Sequence, residues 1–238
     1  MPAPGQPSRR VLVVVPAWNE QRSVGAVVSE IRATQPSVDV LVVDDGSGDD
    51  TSEVARHAGA LVCRLPFNLG VGGAMRAGYR YALRNDYDVV VQVDADGQHD
   101  PAFAPQLLER IEAGADLVIG ARFAGVGEYP ARGPRRWAMT VLSKSLSRLA
   151  GTRLTDTTSG MRATSRPLVE LFARHYPMDY LGDTVETLAM AARRGFRIEQ
   201  VPVAMRVRET GKPSHAVGMT TVYLGRAFVV LVLALIRR

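Results

Sequence analysis

Val89-Val90-Val91-Gln92-Val93-Asp94-Ala95-Asp96-Gly97-Gln98-His99-Asp100 joins a β-branched run to two carboxylates one residue apart, and then to a glycine. A run of this kind reads as a strand buried on both faces that delivers its polar groups to the loop beyond its carboxyl end. Gly97 allows the sharp turn that brings further polar groups round. Two hard oxygen ligands at that spacing suit Mg²⁺ or Mn²⁺ and leave positions for phosphate oxygens. A calcium loop of the EF-hand type is excluded: it needs Gly at its sixth position and Glu at its twelfth, where counting from Asp94 gives His99 and Pro105. Aspartates in front of Pro101 also act as turn formers and helix caps, so the pair by itself leaves both readings open.

On either side of this segment, short β-branched runs alternate with stretches of helical period. Strands are expected over residues 11–15, 38–43, 60–63, 87–93 and 117–120, with helices over 20–34, 51–58, 72–84 and 102–113 between them. That order predicts an α/β fold, a mostly parallel, Rossmann-like central sheet flanked by helices. Asp50 and Glu53 are placed as a helix N-cap and its reciprocal partner. Asn19 and Glu20, Asp44 and Asp45, and Asp94 and Asp96 all fall just past strand ends, where such a sheet binds its ligands. After Arg122 the alternation stops, and a Gly/Pro/Arg-rich loop (123–134), a helix (near 135–150), a polar turn (156–162), a helix (near 183–194) and a strand (197–203) follow. With no internal repeat and no linker, one domain over 11–215 is expected, ending in a helical and loop elaboration. A flexible tail (1–10), without the apolar stretch of a secretory signal, precedes it.

Several chemistries are excluded. Pro16-Ala17-Trp18-Asn19-Glu20 holds no glycine, which argues against a dinucleotide-binding turn, and no Walker A sequence occurs. Asn68-Leu69-Gly70-Val71-Gly72-Gly73-Ala74 lacks the Lys-Ser/Thr ending and most simply starts a helix close to a ligand or another backbone. The single cysteine, Cys63, rules out a disulfide framework or a thiolate zinc site and suits a reducing compartment. Aromatics form 6% of the chain and do not interleave with the basic positions, so nucleic acid is not an expected partner.

The formal charge of +5 hides a division. Residues 1–121 carry 10 Lys and Arg against 16 Asp and Glu, net −6, and residues 122–238 carry 19 against 8, net +11. A basic second half suits an anionic acceptor or bilayer surface. Residues 227–236 are an apolar run of ten, short of the roughly 18 wanted for a membrane span. Segment 216–238 repeats apolar residues at helical spacing beside Arg226, Arg237 and Arg238, as an amphipathic helix at a membrane interface does. Packing onto the domain or pairing in an oligomer stays open beside it.

Taken in order, Val14-Val15-Pro16-Ala17-Trp18-Asn19-Glu20, Val42-Val43-Asp44-Asp45-Gly46-Ser47, Asp94-Ala95-Asp96 and Asp156-Thr157-Thr158-Ser159-Gly160-Met161-Arg162 resemble the inverting glycosyltransferases of family 2. Within these the chain is most similar to the polyprenol-phosphate sugar synthases, over about residues 11–215. The resemblance implies a GT-A type fold, with Pro16, Trp18, Glu20, Val43 and Asp45 around the nucleoside of a GDP- or UDP-linked sugar. Trp18 replaces the usual tyrosine, and either ring offers a flat apolar face. Asp94, Ala95 and Asp96 are implied at the diphosphate, with Asp96 the leading metal ligand, Asp94 and Gln98 beside it, and Mg²⁺ or Mn²⁺ as cofactor. Arg122 matches a diphosphate- or acceptor-phosphate-binding arginine, and Arg136 with Thr140 an acceptor-phosphate pair. Arg208 and the loop that follows it resemble a segment closing over the donor. That loop is one residue longer here, so either Lys212 or His215 supplies its charge.

The resulting expectation is a metal-dependent enzyme on the cytosolic face of a membrane, moving one sugar from a nucleotide donor to a polyprenyl phosphate. A phosphate monoester has a second pKa of about 6 and arrives largely as the dianion, so no general base is needed. Transfer to a glycan or small-molecule hydroxyl is the alternative. It would need a base, for which Asp183 or Glu186 is the candidate, Glu186 matching an acidic position of the family. A non-catalytic nucleotide-sugar-binding or membrane scaffold protein is the alternative of another class.

Overall fold

The computed structural model describes residues 9–122, 134–177 and 182–206, and of residues 134–141, 182 and 183 the backbone alone. Within these, β1 (Val11–Ala17), β2 (Asp39–Asp44), β3 (Leu61–Arg64), β4 (Val89–Gln92), β5 (Leu117–Ala121), β6 (Arg162–Ser165) and β7 (Ile198–Pro202) form one sheet in the order β3-β2-β1-β4-β6-β5-β7. β6 runs antiparallel to both its neighbours, and every other pairing is parallel. β1 passes to β2 on one side and pairs with β4 on the other, so the order reverses between β1 and β4. This is the switch point, where an open α/β sheet has a crevice at its carboxyl edge.

Helices cover both faces. α1 (Val24–Thr34), α2 (Thr51–His57) and α4 (Ala104–Glu112) bury Val28, Ala55 and Leu107 with Val13, Val15 and Val42. α3 (Gly70–Arg84), α5 (Pro134–Ala150), α6 (Arg166–His175) and α7 (Thr187–Arg193) bury Met75, Leu146, Phe172 and Leu188 with Leu12, Val14 and Val43. Alternate residues of each strand feed opposite layers, so burial on both faces requires the near-continuous apolar runs seen in the sequence. α3 lies close on β1: a Cβ on Gly78 would stand 2.6 Å from Val14 Cγ1. Gly78, in the middle of this helix, thus lets it settle onto the Val14 side chain.

Four expectations need correction. Residues 162–175, left without an element by the sequence reading, hold β6 and α6. Asp50 occupies the N-cap of α2, but its side chain makes no capping hydrogen bond. The Asp49 carboxylate accepts the Thr51 N–H instead, and Glu53 pairs with Arg56. The helix expected from residue 20 begins at Val24, after a turn in which the Glu20 carbonyl accepts from Ser23 and Val24. Arg10 is no loose tail residue: its N–H donates to the Asp88 carboxylate at 2.8 Å and its guanidinium lies 4.5 Å from the Tyr87 ring centre. Among the described residues no helix is long and apolar enough to cross a membrane. The 123–134 loop, all but its last residue, and the helix expected over 216–238 lie outside the described residues.

Candidate active site

The carboxyl ends of β1, β2 and β4 bring three loops together. After β1, Asn19 adopts a left-handed φ of 55°, which its short polar side chain tolerates. Its N–H donates to Ser47 Oγ at 2.9 Å, and its Oδ1 accepts the Gly48 N–H at 2.9 Å. The Glu20 N–H donates to Thr51 Oγ1, and the Glu20 carboxylate accepts from Ser23. The loops after β1 and β2 are therefore fastened together. Trp18 stands beside them with 47% of its surface exposed.

Asp44 and Asp45, adjacent at the end of β2, do different work. Asp44 is buried; burial would raise its carboxyl, but hydrogen bonds from Ser47 and Ser52 and the charge of Arg64 outweigh it and hold the group below the ordinary value. Asp45 accepts the Leu69 and Gly70 N–H groups at 2.7 and 2.8 Å, and burial pushes its carboxyl up despite them. The Asp45 carboxylate is thus committed to the loop that starts α3. On that loop the Phe67 backbone passes directly over Gly46, where a Cβ would stand 2.6 Å from the Phe67 carbonyl carbon. Phe67 itself is 62% exposed.

Beyond β4, Asp94 and Asp96 flank Ala95 on a turn closed by its own polar groups. The Gln98 N–H donates to Asp96 Oδ1 at 3.0 Å, and the Asp94 N–H donates to His99 Nδ1 at 3.1 Å. His99 Nδ1 is therefore an acceptor, and in the neutral ring the proton sits on Nε2. The Asp94 carboxylate accepts from the Gln92 carboxamide and nests against Gly160, where a Cβ would stand 2.5 Å from its Oδ2. Among the described residues no three His, Cys, Asp or Glu side chains are grouped to hold a metal ion unaided. Two carboxylate residues and a cradle kept open by glycine still fit a Mg²⁺ or Mn²⁺ ion that takes its remaining ligands from water and phosphate oxygens.

The turn into β6 supplies the other wall. Arg122, at the end of β5, donates to Asp156 at 2.6 and 3.0 Å and to Thr158 Oγ1 at 2.7 Å. Burial would raise the Asp156 carboxyl, but the hydrogen bonds and charge of Arg122 prevail and hold it low. Buried Arg162 donates to the Ser159 carbonyl and to the carbonyl of Thr184 and hydroxyl of Thr187, tying this turn to the turn at Gly182–Glu186. Half-buried Glu186 ends that turn at the N-cap of α7.

Of the residues nominated from sequence, Pro16, Trp18, Glu20, Asp45, Asp94, Asp96, Gln98 and Arg122 gather at this edge. The side chains of Val43 and Ala95 belong to the two core layers, so any ligand contact of theirs runs through the main chain. Gln98 meets Asp96 through its backbone N–H. Arg208, Lys212 and His215, and the side chains of Arg136, Thr140 and Asp183, lie outside the described residues. His99, Gly160 and Phe67 were not nominated; His99 and Gly160 lie inside the two quoted motifs, and Phe67 precedes the glycine cluster.

A mostly parallel sheet with a carboxylate pair at its switch point and a glycine-free loop after β1 defines the class, a glycosyltransferase of the GT-A type. The chain belongs to glycosyl transferase family 2, whose family model matches residues 12–172. It is 33% identical to the polyprenol monophosphomannose synthase of Mycolicibacterium smegmatis, over 88% of this chain and 82% of that protein. It is 35% identical to the undecaprenyl-phosphate mannosyltransferase of Micrococcus luteus, over 88% and 89%. With the dolichyl-phosphate hexose transferase of Haloferax volcanii it shares 34% identity over 82% of each. Crystal structures of glucosyl-3-phosphoglycerate synthase from Mycobacterium tuberculosis share the fold. One bound to phosphoglyceric acid superposes with a TM-score of 0.70 at 23% identity, covering 95% of this chain and 80% of that one. Another holds Mn²⁺ and uridine diphosphate, with a TM-score of 0.67 at 21% identity over 95% and 78%.

Proposed function

We propose that this enzyme transfers a single sugar from a nucleotide sugar to a polyprenyl phosphate, with inversion at the anomeric carbon, at a membrane surface facing the cytosol. The observation that carries the reading is the Asp94–Asp96 pair at the switch point, held by Gln98, His99 and Gly160. The acceptor follows from the three relatives named for polyprenol, undecaprenyl and dolichyl phosphates, each matched over more than four-fifths of its length.

The nucleoside lies over the loops after β1 and β2, with the Trp18 ring as its apolar face and Glu20 on the fastened loop beside it. Asp45 acts by fixing the Phe67–Gly70 loop. Asp94 and Asp96, with Gln98, hold a divalent cation, whose chemistry is to offset the charge that develops on the departing diphosphate. Arg122, oriented by Asp156 and Thr158, turns its cationic group toward a phosphate. An acceptor phosphate oxygen forms its bond to the anomeric carbon as the bond to the nucleoside diphosphate breaks, and the dianion supplies the electron pair. Arg136 and Thr140 on α5 and the segment bearing Arg208, Lys212 and His215 complete the phosphate contacts in this proposal.

Incubation with Mg²⁺ or Mn²⁺, polyprenyl phosphate and labelled GDP- and UDP-sugars tests it. Label is expected in the organic phase with one donor. Label confined to a water-soluble product would favour a hydroxyl acceptor, and donor binding without any turnover would favour a non-catalytic binder.

A further inference from the structure

Beyond β7 the chain crosses the rim of the Asp94–Asp100 turn. His99 and Met205 form an antiparallel bridge, and the Arg206 N–H donates to the Gln98 carbonyl at 3.0 Å. The Arg206 guanidinium then grips two elements at once. It donates to both carboxylate oxygens of Glu30, on α1, at 2.8 and 2.7 Å, and reaches Asp100 at 3.0 Å. α1 also touches the far side of the turn, because the side chain of Gln35, which follows it, donates to the Pro101 carbonyl. Gln98 is the link inward: its carbonyl takes the Arg206 N–H and its own N–H orients Asp96.

We infer that Arg206 is a positioning residue for the Asp94–Asp96 pair, bracing its turn against α1. The inference rests on the reading of that pair as the cation site. Forked pairing with Glu30 has the geometric specificity that a lysine lacks. Arg206 is 45% exposed on its side chain, and Glu30 and Asp100 are 34% and 24% exposed, so the cluster adds little to global stability. Its effect is local. Partners that orient ligating groups typically change metal affinity by about 10–100-fold.

The test compares the wild-type protein with Arg206→Ala, Arg206→Lys and Glu30→Gln, and with Arg56→Ala as a surface control. Mn²⁺ affinity is measured by calorimetry, amide exchange over residues 97–100 in metal-free protein by mass spectrometry, and thermal unfolding alongside. Arg206→Ala is expected to weaken Mn²⁺ binding by about tenfold or more and to speed exchange in the turn while the unfolding temperature hardly moves. Arg206→Lys and Glu30→Gln should fall between it and wild type. Unchanged exchange and affinity in Arg206→Ala, or losses that track a general fall in unfolding temperature, would overturn the inference. If the wild type binds no Mn²⁺, the cation reading fails separately, and the exchange rates still decide whether Arg206 braces the turn.

Discussion

Gly160 and Asp94 touch across the site: a Cβ on the glycine would stand 2.5 Å from Oδ2 and 2.9 Å from Oδ1 of the carboxylate. The turn that enters β6 therefore shapes the space in which a residue leaving β4 presents its oxygens. Gly160→Ala should displace the Asp94 carboxylate. The expected outcome is a loss of about 1–3 kcal/mol in unfolding free energy from overpacking, with weaker Mn²⁺ binding by calorimetry.

Asp96→Ala should abolish turnover while circular dichroism shows the fold retained, because the hydrogen bond it removes, from the Gln98 N–H, lies within one turn. Retained turnover in a radiochemical assay would remove Asp96 from the chemistry.

Glu186→Gln separates the two acceptor classes. With a phosphate dianion as acceptor, kcat should change less than about threefold, since general-base catalysis, worth roughly 10²–10⁴-fold where it operates, is not required. A loss on that larger scale in the same assay would point to a hydroxyl acceptor.

Asp45→Ala leaves the Leu69 N–H without this acceptor and the Gly70 N–H with Asn68 Oδ1 in its place, a cost of about 1–3 kcal/mol. The loop carrying Phe67 should loosen, raising the donor KM about tenfold, the equivalent of 1.4 kcal/mol, while Mn²⁺ affinity holds. Steady-state kinetics against donor and cation separately check this.

Asp156 gives the protein an acid-sensitive joint. Its folded carboxyl lies below the usual range, so the stability it contributes is fully present above the unfolded pKa of about 3.9 and is lost as pH falls through the folded value. Acid unfolding followed by circular dichroism should steepen below about pH 4. Asp156→Asn should remove that part of the slope and cost about 3 kcal/mol at neutral pH, because Arg122 loses its anion while partly buried.

The parallel strands and the helices between them were legible because burial on both faces imposes unbroken apolar runs. β6 was not, for a physical reason: Arg162-Ala163-Thr164-Ser165 looks polar, yet Arg162 is buried by hydrogen bonds to carbonyls and Thr164 meets the hydroxyl of buried Tyr79. Polar satisfaction replaces hydrophobicity there, and no period-2 signal survives. α6 does carry a helical period, since Leu168, Val169, Phe172 and Ala173 fall on one buried face behind a proline in its first turn. The placing of Asp94, Asp96 and Asp45 at one sheet edge was legible, because each falls just past a strand end. Arg206 was not, because its partner Glu30 lies far away in the chain.

The reversed strand also separates in the chain two edges that meet in the sheet. β4 is complete at Gln92, but the strand that seals its outer edge begins only at Arg162. Until residues 93–161 have been made, β4 presents an open edge of backbone donors and acceptors, the kind of surface on which chains pair wrongly. The loops after β1 and β2 take their partners from residues that precede β4. The second wall around Asp94 includes Gly160, so that side of the carboxylate cradle is synthesised only after β5.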